Sequence, residues 1–259
     1  MYNNKVLHSI VLAAGRGSRM DNLTRDKPKC MVELAGKTLL EWQINAMMVS
    51  GVENILVVTG YLYNKIKGNY SIIRNPRWNE TNMVTTLTYA SKWLEKFTCI
   101  ISYSDILYHQ SHVKKISETD GDIVVTYDRL WLDLWNERFV DPLSDAETFI
   151  ENNGVLKEIG ERTDNINRIS GQYMGLLKIS PEGWRNIMNM LNEFTQEKID
   201  KLDMTSLLRL LLDRDVVVNV VSIDGKWCEV DSGEDLDRYE KRIVEVDSIG
   251  KCWSHDWRW

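Results

Sequence analysis

Apolar residues in the first half of the chain alternate between short continuous runs and helical spacing. The runs at residues 8–14, 55–59, 70–74 and 98–103 are typical of buried strands. Two helical patterns lie between them, formed by Leu39, Leu40, Ile44, Met47 and Met48 before Gly51, and by Met83, Leu87, Ala90, Leu94 and Phe97 after Asn82. Strands that alternate with helices predict βαβ units and a mostly parallel sheet, whose ligands bind at the carboxyl ends of the strands.

The second half predicts a more mixed arrangement. Strands are expected at 122–127, 172–179, 216–223 and 227–230, with a hairpin at 147–159 that turns at Asn152-Asn153-Gly154. Helices are expected to begin at Pro181, after an Asp203 cap up to about Leu212, and after a Ser232 cap from Gly233 to about Val246. Residues 131–141 show no clear period. Because no repeat, low-complexity segment or linker separates the halves, we predict one α/β domain over residues 1–259.

The first predicted strand ends in a loop rich in glycine and arginine. Gly15 and Gly17 allow the backbone to approach a ligand and to point N–H groups at it. Arg16, Arg19 and Lys29 add positive charge, which suits a nucleoside triphosphate. The loop is not a Walker P-loop because no Gly-Lys-Ser/Thr closes it, and it lacks the third glycine of the dinucleotide fingerprint. The alternative interpretation is a solvated basic loop after an edge strand.

Leu12-Ala-Ala-Gly-x-Gly-x-Arg19, together with Lys27-Pro-Lys29, resembles the signature of the GT-A-like nucleotidyltransferases, the superfamily of sugar-phosphate nucleotidylyltransferases. Within this superfamily the chain is most similar to the phosphocholine cytidylyltransferase branch, over about residues 6 to 245. The resemblance implies a Rossmann-like three-layer α/β domain with a mixed, mostly parallel sheet and a small acceptor-binding β/α extension. Residues of about 1–120 would form the nucleotide-binding half, about 121–246 the acceptor-binding half, and 247–259 a Trp-rich tail.

The resemblance also implies the reaction and its cofactor. The enzyme would use Mg²⁺ to transfer CMP from CTP to a small phosphorylated acceptor, and would release pyrophosphate. The CDP-linked product would serve capsular or other surface polysaccharide modification. Such a transfer depends on positioned phosphates and on charge neutralisation more than on a strong base, because the acceptor is already an anion.

Two aspartates are the candidate Mg²⁺ ligands. Asp105 follows the predicted strand 98–103, Asp231 follows the strand 227–230, and the resembling enzymes hold the metal with aspartates at these positions. Asp231 has the alternative role of capping the last helix. The resemblance assigns Lys29 to the α-phosphate and the attacking group, and Arg19 to the β- and γ-phosphates. Arg16 either contacts the triphosphate or only raises the local potential.

The base of the nucleotide is expected against Leu12, Ala13 and Ala14. Gly60 and Asn82 would lie opposite, although Asn82 is equally well explained as a helix cap. The residues alone do not separate cytosine from uracil or thymine, and the preference for CTP comes from the resemblance. A sugar-1-phosphate nucleotidylyltransferase that uses UTP or dTTP is therefore the nearest alternative function.

The acceptor is expected to contact aromatic and acidic residues of the second half. The candidates are Trp131, Trp135, Asp203, Trp227 and Glu229. Indoles and carboxylates together suit an ammonium group, although each tryptophan is equally well explained by core packing. In the phosphocholine branch an aromatic residue follows the aspartate that matches Asp203, whereas Met204 stands here. This difference favours an amino-containing acceptor such as glutamine phosphate or an aminoalkylphosphonate, and phosphocholine stays as an alternative acceptor.

Composition and net charge reduce the number of function classes that remain possible. A net charge of −6 argues against a nucleic-acid binder, and no apolar run approaches the ~20 residues of a membrane span. Four scattered cysteines favour a reducing cytoplasm. Ten tryptophans exceed what a core of this size needs, so we expect some in a ligand pocket or an interface, with the C-terminal tail as a packed strap or a homodimer contact. A non-catalytic nucleotide-binding subunit would be expected to lack Asp105, Asp231 or Lys29, and all three are present.

Overall fold

The computed structural model describes residues 7–259, and within them nine strands form one mixed sheet. The strands are β1 Leu7–Ala13, β2 Glu33–Leu34, β3 Lys37–Thr38, β4 Val52–Thr59, β5 Ser71–Arg74, β6 Cys99–Tyr103, β7 Ile106–Tyr108, β8 Ile123–Asp128, β9 Glu147–Asn152, β10 Val155–Arg162, β11 Gln172–Ile179, β12 Asn219–Ile223 and β13 Trp227–Glu229. The helices are α1 Leu39–Val49, α2 Met83–Thr88, α3 Ser91–Leu94, α4 Gln110–Glu118, α5 Trp131–Arg138, α6 Pro181–Leu191, α7 Gln196–Lys201, α8 Met204–Leu212 and α9 Gly233–Ile249.

The order of the large sheet is β5-β4-β1-β6-β11-β8-β12-β10-β9. Strands β5, β4, β1 and β6 are parallel, as are β8 and β12, whereas β11 and the β9–β10 hairpin pair antiparallel with their neighbours. The predicted mixed α/β sheet is confirmed, with parallel pairing concentrated in the first half. Because Leu12 lies opposite both Val58 and Tyr103, the carboxyl ends of β4, β1 and β6 meet at one edge.

Two apolar layers cover the sheet and explain the buried runs of the sequence. Along β1, Val11 and Ala13 point into one layer, while Ile10 and Leu12 point into the other, as the two-residue period of a strand requires. The first layer contains α1, α4 and Tyr239 of α9, and the second contains α2, α6 and α8. A strand with both faces buried therefore appears as a continuous apolar run in the sequence. None of the helices formed by residues 7–259 is long and apolar enough to cross a membrane.

The structure corrects the helix expected after Asn82. That segment forms two short helices, α2 and α3, separated at Tyr89 and Ala90. Threonine and serine hydroxyls compete for the backbone carbonyls here, since Thr88 Oγ1 donates to the Thr85 carbonyl at 2.7 Å and Ser91 Oγ to the Thr88 carbonyl at 2.6 Å. The apolar spacing survives the break because Leu87 and Leu94 remain buried.

The structure also places a helix, α5, where the sequence shows no clear period. Its buried positions are Trp131, Leu134, Trp135 and Arg138, which follow helical spacing. The fourth member of this stripe is a charged residue, so the pattern is hidden when only apolar residues are counted. The other expected helix starts are confirmed, including Asp203 at α8 and the Ser232 capping box at α9.

The C-terminal tail packs as a strap against the first apolar layer. Trp253 and Trp257 are buried, and their rings contact Tyr239 and Trp42, with centroids 5.6 and 6.0 Å apart. Between them, His255 Nε2 lies 2.9 Å from Asp128 Oδ2. Asp128 is fully buried and also accepts hydrogen bonds from the Trp227 indole and the backbone N–H of Gly225. The strap is thus tied to the sheet through one buried carboxylate.

We predict that His255→Ala lowers the free energy of unfolding by about 3 kcal/mol, because it removes the imidazole that lies 2.9 Å from the fully buried Asp128 carboxylate and unties the strap from the sheet. Chemical denaturation at neutral pH measures the change. Trp259→Ala is the matched control in the same tail, since that side chain is 72% exposed, and it should change stability by less than about 0.5 kcal/mol. Equal small effects of the two substitutions would contradict a stabilising role for the strap.

Candidate active site

A buried lysine joins two aspartates at the sheet edge where β1 and β6 end. Lys29 Nζ lies 2.8 Å from Asp105 Oδ2 and 2.8 Å from Asp231 Oδ1, and its side chain is 8% exposed. Burial disfavours the charge of Lys29, but the two carboxylates outweigh it, so the pKa of Lys29 is raised. The lysine therefore stays protonated and holds both carboxylates in place.

The strand pair β7–β13 brings these aspartates together. Ile106 lies opposite Glu229 in that pair, and the backbone N–H of Val230 donates to the Asp105 carbonyl at 2.8 Å. Asp105 and Asp231 are 126 residues apart along the chain, yet both flank the same end of this short ladder, the end at the Ile106–Glu229 pair. Their convergence, predicted from the resemblance, therefore has a local backbone cause.

Gly17 determines where the lysine side chain lies. The residue has φ of 75°, which favours glycine. A Cβ atom at this position would lie 2.7 Å from Lys29 Cβ and 2.9 Å from its Cγ and Cδ. The missing side chain of Gly17 thus provides the space that the stem of Lys29 fills.

Three carboxylates form an oxygen cluster around this point. Ligand atoms of Asp105, Glu229 and Asp231 all lie within 4.8 Å of one another. Asp105 Oδ1 is buried and accepts no hydrogen bond from any residue in 7–259. Buried carboxylate oxygens without a donor are the ligands that a hard cation such as Mg²⁺ prefers, so the residues fit a divalent metal.

Arg138 of α5 holds the third carboxylate. Its Nη1 donates to Glu229 Oε2 at 2.8 Å, and its Nε donates to Asp235 Oδ1 at 3.1 Å. Asp235 in turn accepts from the backbone N–H groups of Asp231 and Ser232. One buried guanidinium therefore fixes the Glu229–Asp231 segment from both sides. Sequence reasoning missed Arg138, and its place in the buried stripe of α5 is the signal that would have revealed it.

A first cavity of about 280 Å³ opens between the end of β1 and the start of α2. Nine of the expected site residues line it, namely Leu12, Ala14, Gly15, Gly17, Arg19, Lys29, Asn82, Asp105 and Asp231. Trp78, Thr81 and Tyr103 also line it and were not predicted. The side chain of Asn82 caps α2 by accepting from the Met83 N–H at 2.8 Å, as the alternative interpretation of this residue expected.

Three of the expected nucleotide-binding residues lie beside this cavity without lining it. Ala13 points into the opposite apolar layer, and the Arg16 guanidinium lies 5.6 Å from the ring centroid of Tyr61. Gly60 packs behind the cavity wall, where a Cβ atom would lie 2.5 Å from the Ala14 carbonyl oxygen and 2.5 Å from Trp78 Cβ. Gly60 therefore permits the close approach of Ala14 and Trp78.

A second cavity of about 350 Å³ meets the first at Arg19, Tyr103 and Asp231. The expected acceptor residues Trp135, Asp203, Trp227 and Glu229 line it, together with the unpredicted Glu147, Arg162, Gln172 and Tyr173. Trp131 does not line this cavity and packs on Trp135, with ring centroids 6.0 Å apart. The two cavities share the Arg19 guanidinium, which is 74% exposed and contacts Asp231.

The family described as the MobA-like NTP transferase domain matches residues 9–160, which is more than half of the chain. The chain belongs to this nucleotidyltransferase family. It is 36% identical over 248 residues to CTP:phosphoglutamine cytidylyltransferase from Campylobacter jejuni, covering 89% of this chain and 98% of that protein. It is 31% identical over 117 residues to 2-aminoethylphosphonate cytidylyltransferase from Lancefieldella rimae, covering 43% and 48%.

Solved structures show the same fold. The inositol-1-phosphate CTP transferase from T. maritima superposes with a TM-score of 0.73 at 21% identity, covering 94% of this chain and 97% of that one. The CTP:phosphocholine cytidylyltransferase from Streptococcus pneumoniae gives a TM-score of 0.69 at 17% identity, covering 92% and 99%. The GT-A-like nucleotidyltransferase fold expected from the glycine and arginine motif is therefore confirmed.

For this nucleotidyltransferase, the position of Lys29 provides a direct test. Gly17→Ala should lower the free energy of unfolding by about 1–3 kcal/mol, because the backbone conformation and the Lys29 contact both oppose a methyl group. Displacement of Lys29 should also lower kcat by about 10²-fold. Denaturation and nucleotidyl-transfer kinetics measure the two effects. Gly15→Ala is the control for stability, since nothing lies within 4 Å of a Cβ atom there. Equal destabilisation by both substitutions would contradict the proposed fit.

Proposed function

We propose that this nucleotidyltransferase transfers CMP from CTP to phosphoglutamine or a similar phosphorylated amino-containing acceptor, and releases pyrophosphate. The observation that carries the proposal is the 36% identity to CTP:phosphoglutamine cytidylyltransferase over 98% of that protein's length. Two cavities that meet at Arg19 and Asp231 support it, because such a transfer brings two anionic substrates to one point.

In this reaction a phosphate oxygen of the acceptor forms a bond to the α-phosphorus of CTP. The bond from that phosphorus to the bridging oxygen of the β-phosphate breaks, and pyrophosphate leaves with the electron pair. Lys29 would contact the α-phosphate and the attacking oxygen, while Arg19, at the junction of the cavities, would contact the β- and γ-phosphates. The base and ribose would lie along Leu12, Ala14 and Gly15.

Asp105 and Asp231 would hold Mg²⁺, and Glu229 offers a third oxygen within the same cluster. The bound ion would neutralise the triphosphate and the leaving pyrophosphate. The protein's own cations are already matched, since Lys29 and Arg19 contact aspartates and Arg138 contacts Glu229. Further positive charge is therefore needed when a triphosphate binds, which supports metal dependence.

The cellular setting is part of the same proposal. A CDP-linked amino compound would supply a transferase that modifies a surface or capsular polysaccharide. The four cysteines are free thiols, which suits a cytoplasmic enzyme. We also propose a homodimer. A sugar-1-phosphate nucleotidylyltransferase that uses UTP or dTTP, and a non-catalytic nucleotide-binding subunit, are the alternatives that the following experiments separate.

Asp105→Asn and Asp231→Asn should each lower kcat by roughly 10²-fold or more, because a lost metal ligand removes several kcal/mol of charge stabilisation. Pyrophosphate release at saturating CTP, acceptor and Mg²⁺ measures the rate, and circular dichroism checks the fold. Asp237→Asn, at an exposed position of α9, is the matched control and should be neutral. Normal turnover in either active-site variant would show that the substituted aspartate is not a metal ligand.

The substrates are tested with CTP, UTP, dTTP and ATP against phosphoglutamine, 2-aminoethylphosphonate, phosphocholine and glucose-1-phosphate. The highest kcat/KM is expected for CTP with phosphoglutamine, because the acceptor cavity contains carboxylates and indoles that suit an ammonium group. Preference for glucose-1-phosphate with UTP or dTTP would replace the proposed function with the sugar-phosphate alternative. Nucleotide binding without turnover of any pair would favour the non-catalytic subunit.

A further inference from the structure

Two residues of opposite charge face each other across the β9–β10 hairpin. Glu147 lies directly opposite Arg162 in the register of these antiparallel strands. Directly opposed residues project from the same face of a sheet, with Cβ atoms about 4.5–5.5 Å apart. Both side chains line the second cavity, the one that Arg19 and Asp231 connect to the nucleotide site.

Opposite charges in such a pair usually bind each other, but this pair does not. Within residues 7–259, neither Glu147 nor Arg162 has an ion-pair partner within 4.0 Å, and the Glu147 carboxylate accepts no hydrogen bond. Arg162 Nη1 donates to the backbone carbonyl of Ser144, which holds the guanidinium at the cavity wall. Burial raises the pKa of Glu147, and Arg162 opposes that shift. The two groups are close enough to interact electrostatically and remain available to a ligand.

The backbone around this pair is firmly held. The Gln172 side chain bridges to Glu147 in both directions, since its Nε2 donates to the Glu147 carbonyl at 2.6 Å and its Oε1 accepts the Glu147 N–H at 3.3 Å. Asp203 lies near enough to raise the pKa of Glu147 through its charge. The side of the cavity around Glu147 is therefore negative, while Arg162 supplies positive charge beside it.

Three other carboxylates of the cavity already have hydrogen-bond or ion-pair partners, whereas the carboxylate of Asp145, which also lines it, has none among residues 7–259. Glu229 is bound by Arg138, and Asp231 is bound by Lys29 and Arg19. Asp203 uses Oδ1 to accept from the Ser206 N–H and the Thr205 hydroxyl. An ammonium group that enters the cavity thus finds unpaired carboxylates at Glu147 and Asp145, and only Glu147 lies directly opposite Arg162. A ligand carboxylate finds in Arg162 a guanidinium that, among residues 7–259, has no carboxylate within 4.0 Å and donates only to a backbone carbonyl.

We propose that Glu147 and Arg162 form a zwitterion site that binds the α-ammonium and the α-carboxylate of a phosphorylated amino acid. This inference rests on the proposed function and deepens it, because it assigns the acceptor to the α-amino-acid class. The phosphate of the acceptor lies toward Arg19 and Lys29, and its amino-acid end lies toward the hairpin. An acceptor with an ammonium group but no carboxylate, such as phosphocholine, leaves Arg162 unused.

Three acceptors that differ by single groups test this assignment on the wild-type enzyme. They are phosphoglutamine, its analogue without the α-carboxylate (phosphorylated 4-aminobutanamide), and its analogue without the α-ammonium (phosphorylated glutaramate). With CTP, each analogue should show kcat/KM lowered by about 10- to 100-fold, the effect of losing one hydrogen-bonded charge. Equal turnover of all three would overturn the proposal without any substitution in the protein.

Two variants then assign each group to its residue. Arg162→Met should lower kcat/KM for phosphoglutamine by about 10- to 100-fold and leave the value for the carboxylate-free analogue unchanged. Glu147→Gln should lower kcat/KM for phosphoglutamine by a similar factor and leave the value for the ammonium-free analogue unchanged. The KM for CTP should not change in either variant. Arg168→Met is the matched control, because Arg168 pairs with Glu158 and does not line the second cavity.

The failures are distinguishable. If phosphoglutamine is turned over but each variant lowers all three acceptors equally, the zwitterion site is wrong and the proposed function stands. If the wild-type enzyme uses another acceptor class and not phosphoglutamine, the proposed function is wrong and the zwitterion site falls with it. If Arg162→Met does not fold, Arg162→Lys keeps the charge but not the forked geometry. It should lower kcat/KM for the two acceptors that carry the α-carboxylate and leave the carboxylate-free analogue unchanged.

Discussion

The pairing of Lys29 with Asp105 and Asp231 is the constraint on which the rest of the site depends. An ammonium group that is almost fully buried is tolerated only when opposite charges compensate it. Here the partners lie 76 and 202 residues away along the chain. The loop after β1, the turn after β6 and the end of β13 must therefore all reach their native positions for the buried ammonium group to be compensated. The same requirement gives the cavity its shape before substrates arrive.

Compensated charge recurs in the layers around this pair. Arg138 connects Glu229 to Asp235, and Asp235 in turn holds the backbone of the segment that carries Asp231. Further out, Asp128 joins the Trp227 indole of β13 to His255 of the tail. Each network restrains the same strand, β13, from a different side. The C-terminal strap thus contributes to the stability of a strand that ends at Glu229, one of the three residues of the carboxylate cluster.

The arrangement of the first half could be predicted from the sequence, because parallel strands place their carboxyl ends, and so the Gly15–Arg19 loop and Asp105, at one edge. The second half could be predicted only in part. Arg138 is hidden because it occupies an apolar position of α5, and Glu147 and Arg162 meet only through the register of an antiparallel hairpin, which sequence spacing does not fix. The high number of tryptophans predicts that some of them line a pocket, but it does not show which ones. Trp135 lines the second cavity, whereas Trp131 packs behind it.

The β9–β10 hairpin occupies the edge of the large sheet and joins it through β12, where Val155 lies opposite Asn219. Four strands, β6, β11, β8 and β12, lie between this hairpin and β1, which leads into the glycine and arginine loop. Under the proposed role of the hairpin in acceptor binding, substitutions on it would alter which small molecule is accepted and would leave the sheet edge around Lys29 unchanged. The proposed arrangement separates the residues of the transfer step from those that choose the acceptor, so that engineering could change the second set while the first is retained.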